Sequence, residues 1–106
     1  MQNNQYHTEY LPLARIDVRE IVEYILNILQ APLAAEHFAE NLDKKVAMLE
    51  TNPYIGATYK DNHRLDFEYR HIFVGNFTIF YVVFEDSKKV EIHRVIYSAR
   101  NMEELI

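Results

Sequence analysis

Eight consecutive residues, Phe77-Thr78-Ile79-Phe80-Tyr81-Val82-Val83-Phe84, limit what this chain can fold into. All but Thr78 are apolar or aromatic, and turn formers bracket them, Gly75-Asn76 before and Glu85-Asp86-Ser87-Lys88 after. Such a run fits a strand buried on both faces. It predicts the middle of a meander, with a strand over Phe67 to Val74 before it and another over Lys89 to Ile96 after it. Glycine leading in Gly75-Asn76 predicts a two-residue type II′ hairpin.

A sheet of this kind needs a cover, and the first half of the chain supplies one. Tyr6-His7-Thr8-Glu9-Tyr10-Leu11 is rich in strand formers and predicts a first strand, ended by Pro12, which suits the first turn of a helix. From Leu13 to Leu29, Ala14, Val18, Ile21, Val22, Ile25, Ile28 and Leu29 recur at helical steps and should face the core. Asp17, Glu20, Glu23, Arg15 and Arg19 fill the other side as a solvated face. Pro32 opens a second helix, whose stripe Ala35, Phe38, Leu42, Val46 and Leu49 runs to about Glu50. So short a break predicts an antiparallel helical hairpin. Thr51-Asn52-Pro53-Tyr54-Ile55-Gly56 reads as a loop in which Gly56 takes a backbone conformation other residues dislike. Irregular chain follows to about Arg64, and Ser98 to Ile106 forms a short tail of one or two helical turns at most. The fold class is α+β: strand, antiparallel two-helix hairpin, three-stranded antiparallel meander, tail.

The 106 residues are expected to form one domain spanning 1–106, burying roughly 65% of the unfolded chain's surface. Cysteine is absent, which excludes thiolate catalysis and cysteine-bound zinc. Neither a signal peptide nor a run of ~20 apolar residues is visible, so the expected location is the cytoplasm, with no membrane partner. The net charge of −5 lies mostly in the first half. That argues against a general nucleic-acid binder, whose affinity comes from lysine and arginine on phosphates.

Carrying both hairpin registers along the meander sorts its side chains onto two faces. Arg70, Ile72, Val74, Phe77, Ile79, Tyr81, Val83, Val90, Ile92, Arg94 and Ile96 share the aliphatic face, which should meet the helices. Phe67, Tyr69, His71, Phe73, Thr78, Phe80, Val82, Phe84, Glu91, His93, Val95 and Tyr97 share the other, an aromatic face interleaved with titratable groups. There two imidazoles flank Phe80, and histidine is the side chain most easily poised for proton transfer near neutral pH. Partly buried, hydrogen-bonded histidines on an amphipathic sheet are the competing reading. A zinc site is disfavoured, since strands about 4.8 Å apart hold the imidazoles roughly 10 Å from each other. Arg70 and Arg94 are expected to snorkel toward Glu20 or Glu23.

The element order and several segments resemble the RelE/ParE family of bacterial toxins from toxin–antitoxin pairs. Residues 10–25, from Tyr10-Leu11-Pro12 to Tyr24-Ile25, resemble its first strand and helix. Asn52-Pro53 with Gly56 resembles its helix-to-sheet loop. Tyr69-Arg70, Val74-Gly75-Asn76-Phe77 and Phe80-Tyr81 resemble its central hairpin, and Arg94-Val95-Ile96-Tyr97 with Arg100 its last strand and tail. The resemblance covers nearly the whole chain.

What it implies divides by target. RelE-type members cut messenger RNA on the ribosome with an array of lysines and arginines aided by a proton-moving group; ParE-type members lack that array and block DNA gyrase. Thr78 follows Phe77 where the ribonuclease type commonly has arginine, and Asn101 stands where aspartate is common. His71, His93, Tyr97 and Arg100 are the candidate catalytic residues, with Tyr69, Arg70, Thr78 and Arg94 as candidate substrate or partner contacts. Three outcomes stay open: a metal-independent ribosome-dependent endoribonuclease, a non-enzymatic gyrase inhibitor, and a degenerate domain that only binds an antitoxin. No cofactor or metal is expected. The implied partners are a cognate antitoxin and either the ribosome with its mRNA or gyrase, with a homodimer or a toxin–antitoxin hetero-oligomer as the assembly.

Overall fold

The computed structural model describes residues 5–59 and 67–100. Strand β1 (His7–Tyr10) leads through Leu11 into helix α1 (Pro12–Glu23), with Pro12 in the first turn, where its missing N–H is no loss. A π-helical turn (Tyr24–Ile28) prolongs α1, and after residues 29–31 the chain re-enters helix as α2 (Pro32–Thr51). A 3₁₀ turn (Pro53–Ile55) and a two-residue strand β2 (Ala57–Thr58) precede the meander β3 (Arg70–Val74), β4 (Phe77–Phe84) and β5 (Lys89–Tyr97). One sheet results, in the order β1-β5-β4-β3-β2, antiparallel except where β1 runs parallel to β5. No helix among the described residues is long and apolar enough to cross a membrane.

The α+β class, the helical pair and the meander match the sequence expectation, and β4 is the eight-residue run that predicted it. Gly75 has φ +56 while Asn76 has no positive φ, the pattern of the predicted type II′ turn. Every residue of the α2 stripe, Ala35, Phe38, Leu42, Val46 and Leu49, is buried. With Ala14 and Ile25 they meet Val74, Ile79, Tyr81, Val90, Ile92 and Val95 from the sheet in the main core. The third strand is shorter than expected, starting at Arg70, and β2 lies where irregular chain was expected, two residues being too few to make a pattern. The tail beyond Arg100 lies outside the described residues.

Two expectations are corrected by insertions that periodicity does not reveal. The α1 stripe holds through Ile25 and then fails, for Ile28 and Leu29 are exposed. The cause is the π turn, where the Leu29 N–H donates to Tyr24 O and the Ala31 N–H to Ile25 O. One extra residue in the turn rotates everything after it by about 100°. The second insertion lies in β5. Pairing with β4 runs in the expected register from Phe84↔Lys89 to Tyr81↔Ile92, then shifts at a bulge so that Phe80 pairs with Arg94 and Phe77 with Tyr97. His93 is the supernumerary residue. Beyond it the faces exchange, so Val95 is buried in the main core and Ile96 in a smaller one on the opposite face.

Gly56 needs a different explanation from the one its loop suggested. Its φ of −77° and ψ of 144° are ordinary extended values. Crowding requires the glycine instead: a Cβ there would stand 2.5 Å from Tyr81 Oη, 2.7 Å from His71 O and 2.9 Å from Ile72 Cγ2. The chain presses close because Gly56 N–H donates to Tyr81 Oη at 2.9 Å, while the Tyr81 hydroxyl donates to Pro53 O at 2.8 Å.

Candidate functional site

The bulge decides where the candidate residues go. His71 on β3 lies across from Phe80, their rings 6.1 Å apart, on the face turned from the helices. Tyr59 packs edge-on against both, at 5.8 and 5.1 Å. His93 is on the same face, with its ring 5.3 Å from Phe67 and 5.1 Å from Tyr69. Tyr97 is not: displaced by the extra residue, it stands beside Phe77 on the helix side, ring centroids 6.0 Å apart. The expected grouping of His71, His93 and Tyr97 on one surface is therefore corrected.

Nor is the aromatic face an open working surface. Tyr69, Phe80, Val82 and Ile96 form a second small core there, with Tyr59 and Phe84 packed against it. Within it His93 is held at both ring nitrogens. Its Nε2–H donates to Glu91 Oε1 at 3.1 Å, leaving Nδ1 to accept the Tyr69 O–H at 2.9 Å. Burial pulls the imidazole's pKa below its ordinary value, and the Glu91 carboxylate opposes that only in part. Glu91 in turn pairs with Lys89, which also reaches Glu9. Thr78 is buried, its hydroxyl 2.8 Å from that of Ser98.

Neither arginine on the sheet meets the acid expected of it. Arg70 donates to Gly56 O at 2.8 Å and lies over the Tyr54 ring, 5.0 Å from its centroid. Arg94 does reach α1, but its acceptor is Asp17: Nε to Oδ2 at 2.7 Å and Nη2 to Oδ1 at 2.8 Å. Asp17 Oδ2 also accepts the Val95 N–H at 3.0 Å, at the edge of β5 that β1 leaves open after Ile92. The bidentate contact raises the Arg94 pKa further. Asp17 was assigned to the solvated face, and a signal against that was present. It lies three residues after Ala14 and four before Ile21, on the very stripe those two define.

Tyr97 and Arg100 converge elsewhere. Between α1 with its π turn and the ends of β4 and β5 lies a groove of about 650 Å³, walled by Ile21, Tyr24, Phe77 and Tyr97, with Glu20 and Arg100 as exposed charges. A third polar cluster joins distant segments. Glu85 accepts from Tyr6 at 2.9 Å, from Lys88 at 3.1 Å and from Tyr54. Those bonds, the one from Tyr54 foremost, hold the Glu85 pKa down at about 2 and push that of Tyr54 up to about 12. Among the described residues no group of three histidines or carboxylates is placed to hold a metal ion.

In sequence, residues 8–102 match the family model of the ParE toxin of the type II toxin–antitoxin system parDE. No curated protein matches the chain. In structure it is similar to a chain of the chromosomal ParDE toxin–antitoxin system from P. aeruginosa, with a TM-score of 0.69 and 17% identity over 89% of this chain and 97% of that one. It is similar also to a chain of the toxin–antitoxin complex RelBE2 from Mycobacterium tuberculosis, with a TM-score of 0.62 and 16% identity over 88% and 98%. At those identities the structural likeness establishes the fold, and the sequence match establishes the family. The chain belongs to the ParE toxins of type II toxin–antitoxin systems.

Proposed function

We propose that this toxin arrests growth by occupying its target rather than by chemistry upon it, and that the target is DNA gyrase. One observation carries the reading: the proton-transfer candidates are divided between two faces of the sheet, Tyr97 with Arg100 at the groove and His71 with His93 on the far side. Metal-free phosphodiester cleavage needs a base, an acid and positive charge converging on one phosphate. Here His93 is engaged by Tyr69 and Glu91, and Arg94 by Asp17. Arg100 and Tyr97 suit binding better than they suit catalysis. The neutralising partner is a cognate antitoxin, supported by the likeness to two toxin–antitoxin systems, and the site of action is the cytoplasm.

Two assays run side by side test this. Purified protein should inhibit supercoiling by gyrase and leave transcripts on translating ribosomes intact. In cells, Tyr97→Ala and Arg100→Ala should relieve growth arrest, while His71→Ala should not. Cut transcripts, together with relief by His71→Ala, would reject the proposal in favour of the ribonuclease. Expression without arrest would favour the degenerate antitoxin-binding domain.

A further inference from the structure

Hydrophobic burial alone does not choose the register at the end of β5. Pairing with β4 that ran on without the bulge would exchange Val95 and Ile96 across the sheet. Both are aliphatic, and the bulged strand buries both, Val95 at 1% exposure in the main core and Ile96 at 4% in the smaller one. A hydrophobic pattern fixes register by sending one set of residues to a core and the next to solvent. Neighbouring aliphatics with a core on either face satisfy both choices, so the polar contacts decide. His93 is the extra residue, and its ring nitrogens engage Tyr69 at 2.9 Å and Glu91 at 3.1 Å. Uniform pairing would seat His93 opposite Phe80 instead, in one row with His71 and a row removed from Tyr69. The same shift would turn the Val95 N–H toward β4 and away from Asp17, since backbone donors along a strand point alternately to its two edges. We propose that His93 is the positioning residue of the groove: its doubly bonded ring fixes the bulge in β5, and the bulge places Tyr97 on the helix side.

The anchor is built for this. The His93 and Glu91 side chains are only 11% and 18% exposed, so their bonds are made largely out of water, where a donor or acceptor left unmade costs most. One ring nitrogen donates to a carboxylate and the other accepts a phenol O–H, which uses each nitrogen of the neutral imidazole once. Glu91 is held in turn by Lys89, which reaches Glu9 on β1, so the anchor is tied across the parallel pair. On the other side of the bulge, Asp17 grips the strand at the Val95 N–H. At the strand's end the register decides what the groove is made of. The bulged pairing sets Tyr97 opposite Phe77, their rings 6.0 Å apart. Uniform pairing sets Ile96 there and turns Tyr97 to the far face. His93 thus acts from one face of the sheet on a residue of the other, without touching the groove. Its effect on growth arrest rests on the groove being the binding surface, and its effect on the pairing does not.

Cross-strand proton contacts in the NMR spectrum of the full chain read the pairing directly. The wild type should show Phe80 against Arg94 and Phe77 against Tyr97. His93→Val removes both bonds and keeps a strand former, and should bring position 93 opposite Phe80 and Ile96 opposite Phe77, with the contact between Tyr97 and Phe77 lost. Tyr69→Phe removes one bond alone and should add the same contacts as a second, minor set. His93→Gln, whose amide donates to Glu91 and accepts from Tyr69 but carries no titrating proton, should keep the wild-type pairing. Wild-type pairing in every folded variant that lacks a bond to the ring overturns the proposal, and so does a shifted pairing in His93→Gln. Inhibition of gyrase by the same variants keeps this apart from the proposed function. His93→Val should inhibit supercoiling at least about tenfold less well, as expected when a contact loses a tyrosine anchor, while His93→Gln should inhibit as the wild type does. Shifted pairing with undiminished inhibition would leave the anchor standing and take the groove out of the proposed function.

Discussion

Asp17→Ala should be the most damaging polar substitution in the helical pair. The carboxylate and the Arg94 side chain are only 11% and 12% exposed, and Asp17 serves three donors at 2.7, 2.8 and 3.0 Å. Its removal strands a mostly buried guanidinium and leaves the Val95 N–H at an unpaired strand edge. Breaking one side of such a pair costs about 3–5 kcal/mol, against about 0–1 kcal/mol for an exposed ion pair. Urea denaturation should show the midpoint falling with little change in slope, and the thermal midpoint should drop by more than ~10 °C.

A second substitution separates the two contributions. Arg94→Met in the Asp17→Ala background removes the stranded charge, so about half of the loss should return. About 1–3 kcal/mol should remain, because the Val95 N–H is still without its acceptor. The coupling between the two positions, read from the double-mutant cycle, should exceed about 1 kcal/mol. If Asp17→Ala costs less than about 1 kcal/mol, or if Arg94→Met adds to the damage instead of relieving it, the pair behaves as a surface ion pair and the reasoning fails.

Gly56→Ala should destabilise the fold by about 2–4 kcal/mol despite an unstrained backbone, because the new methyl drives apart the Tyr81 hydroxyl and the His71 carbonyl; Tyr81→Phe, by removing the nearest atom, should reduce that penalty in a denaturation cycle. His93 faces Phe67, Tyr69 and Glu91, and its pKa in the fold lies below the ordinary 6.5. The unfolded chain therefore takes up that proton first, so stability should decline as pH falls below about 6.5 and until the folded imidazole titrates; His93→Gln should flatten this limb of a Tm-against-pH curve. Glu85, held at about 2 against an ordinary 4.5, acts in a lower window. Its contribution is complete above about 4.5 and disappears as pH falls toward 2, an acid dependence that Glu85→Gln should abolish in the same measurement.

Where hydrophobic rhythm alone sets the structure, the sequence was a sufficient guide. The α2 stripe needed only steps of three and four, β4 only an apolar run between turns, and the β3–β4 register only a glycine-first hairpin. Features that depend on contact between distant segments were harder to read. The role of Gly56 arises from Tyr81, twenty-five residues away, and no local preference announces it. Asp17 was misassigned because a charged residue on an apolar stripe is explained by a partner, and Arg94 lies seventy-seven residues further on.

The candidate site failed to assemble as expected for a more specific reason. Alternation is a counting rule, and a single uncounted residue reverses every face that follows it. His93 is that residue in β5, and the π turn supplies its counterpart in α1. The bulge sends Tyr97 toward the helices, and the π turn sends Ile28 and Leu29 out of the core. Both displacements bear on one place: the groove receives the Tyr97 phenol from the first and Leu29 from the second. Restoring ideal periodicity at either position would fill the core more evenly and dismantle that groove. Two local irregularities, each unfavourable to regular packing, thus account for the surface on which the toxin's proposed binding depends.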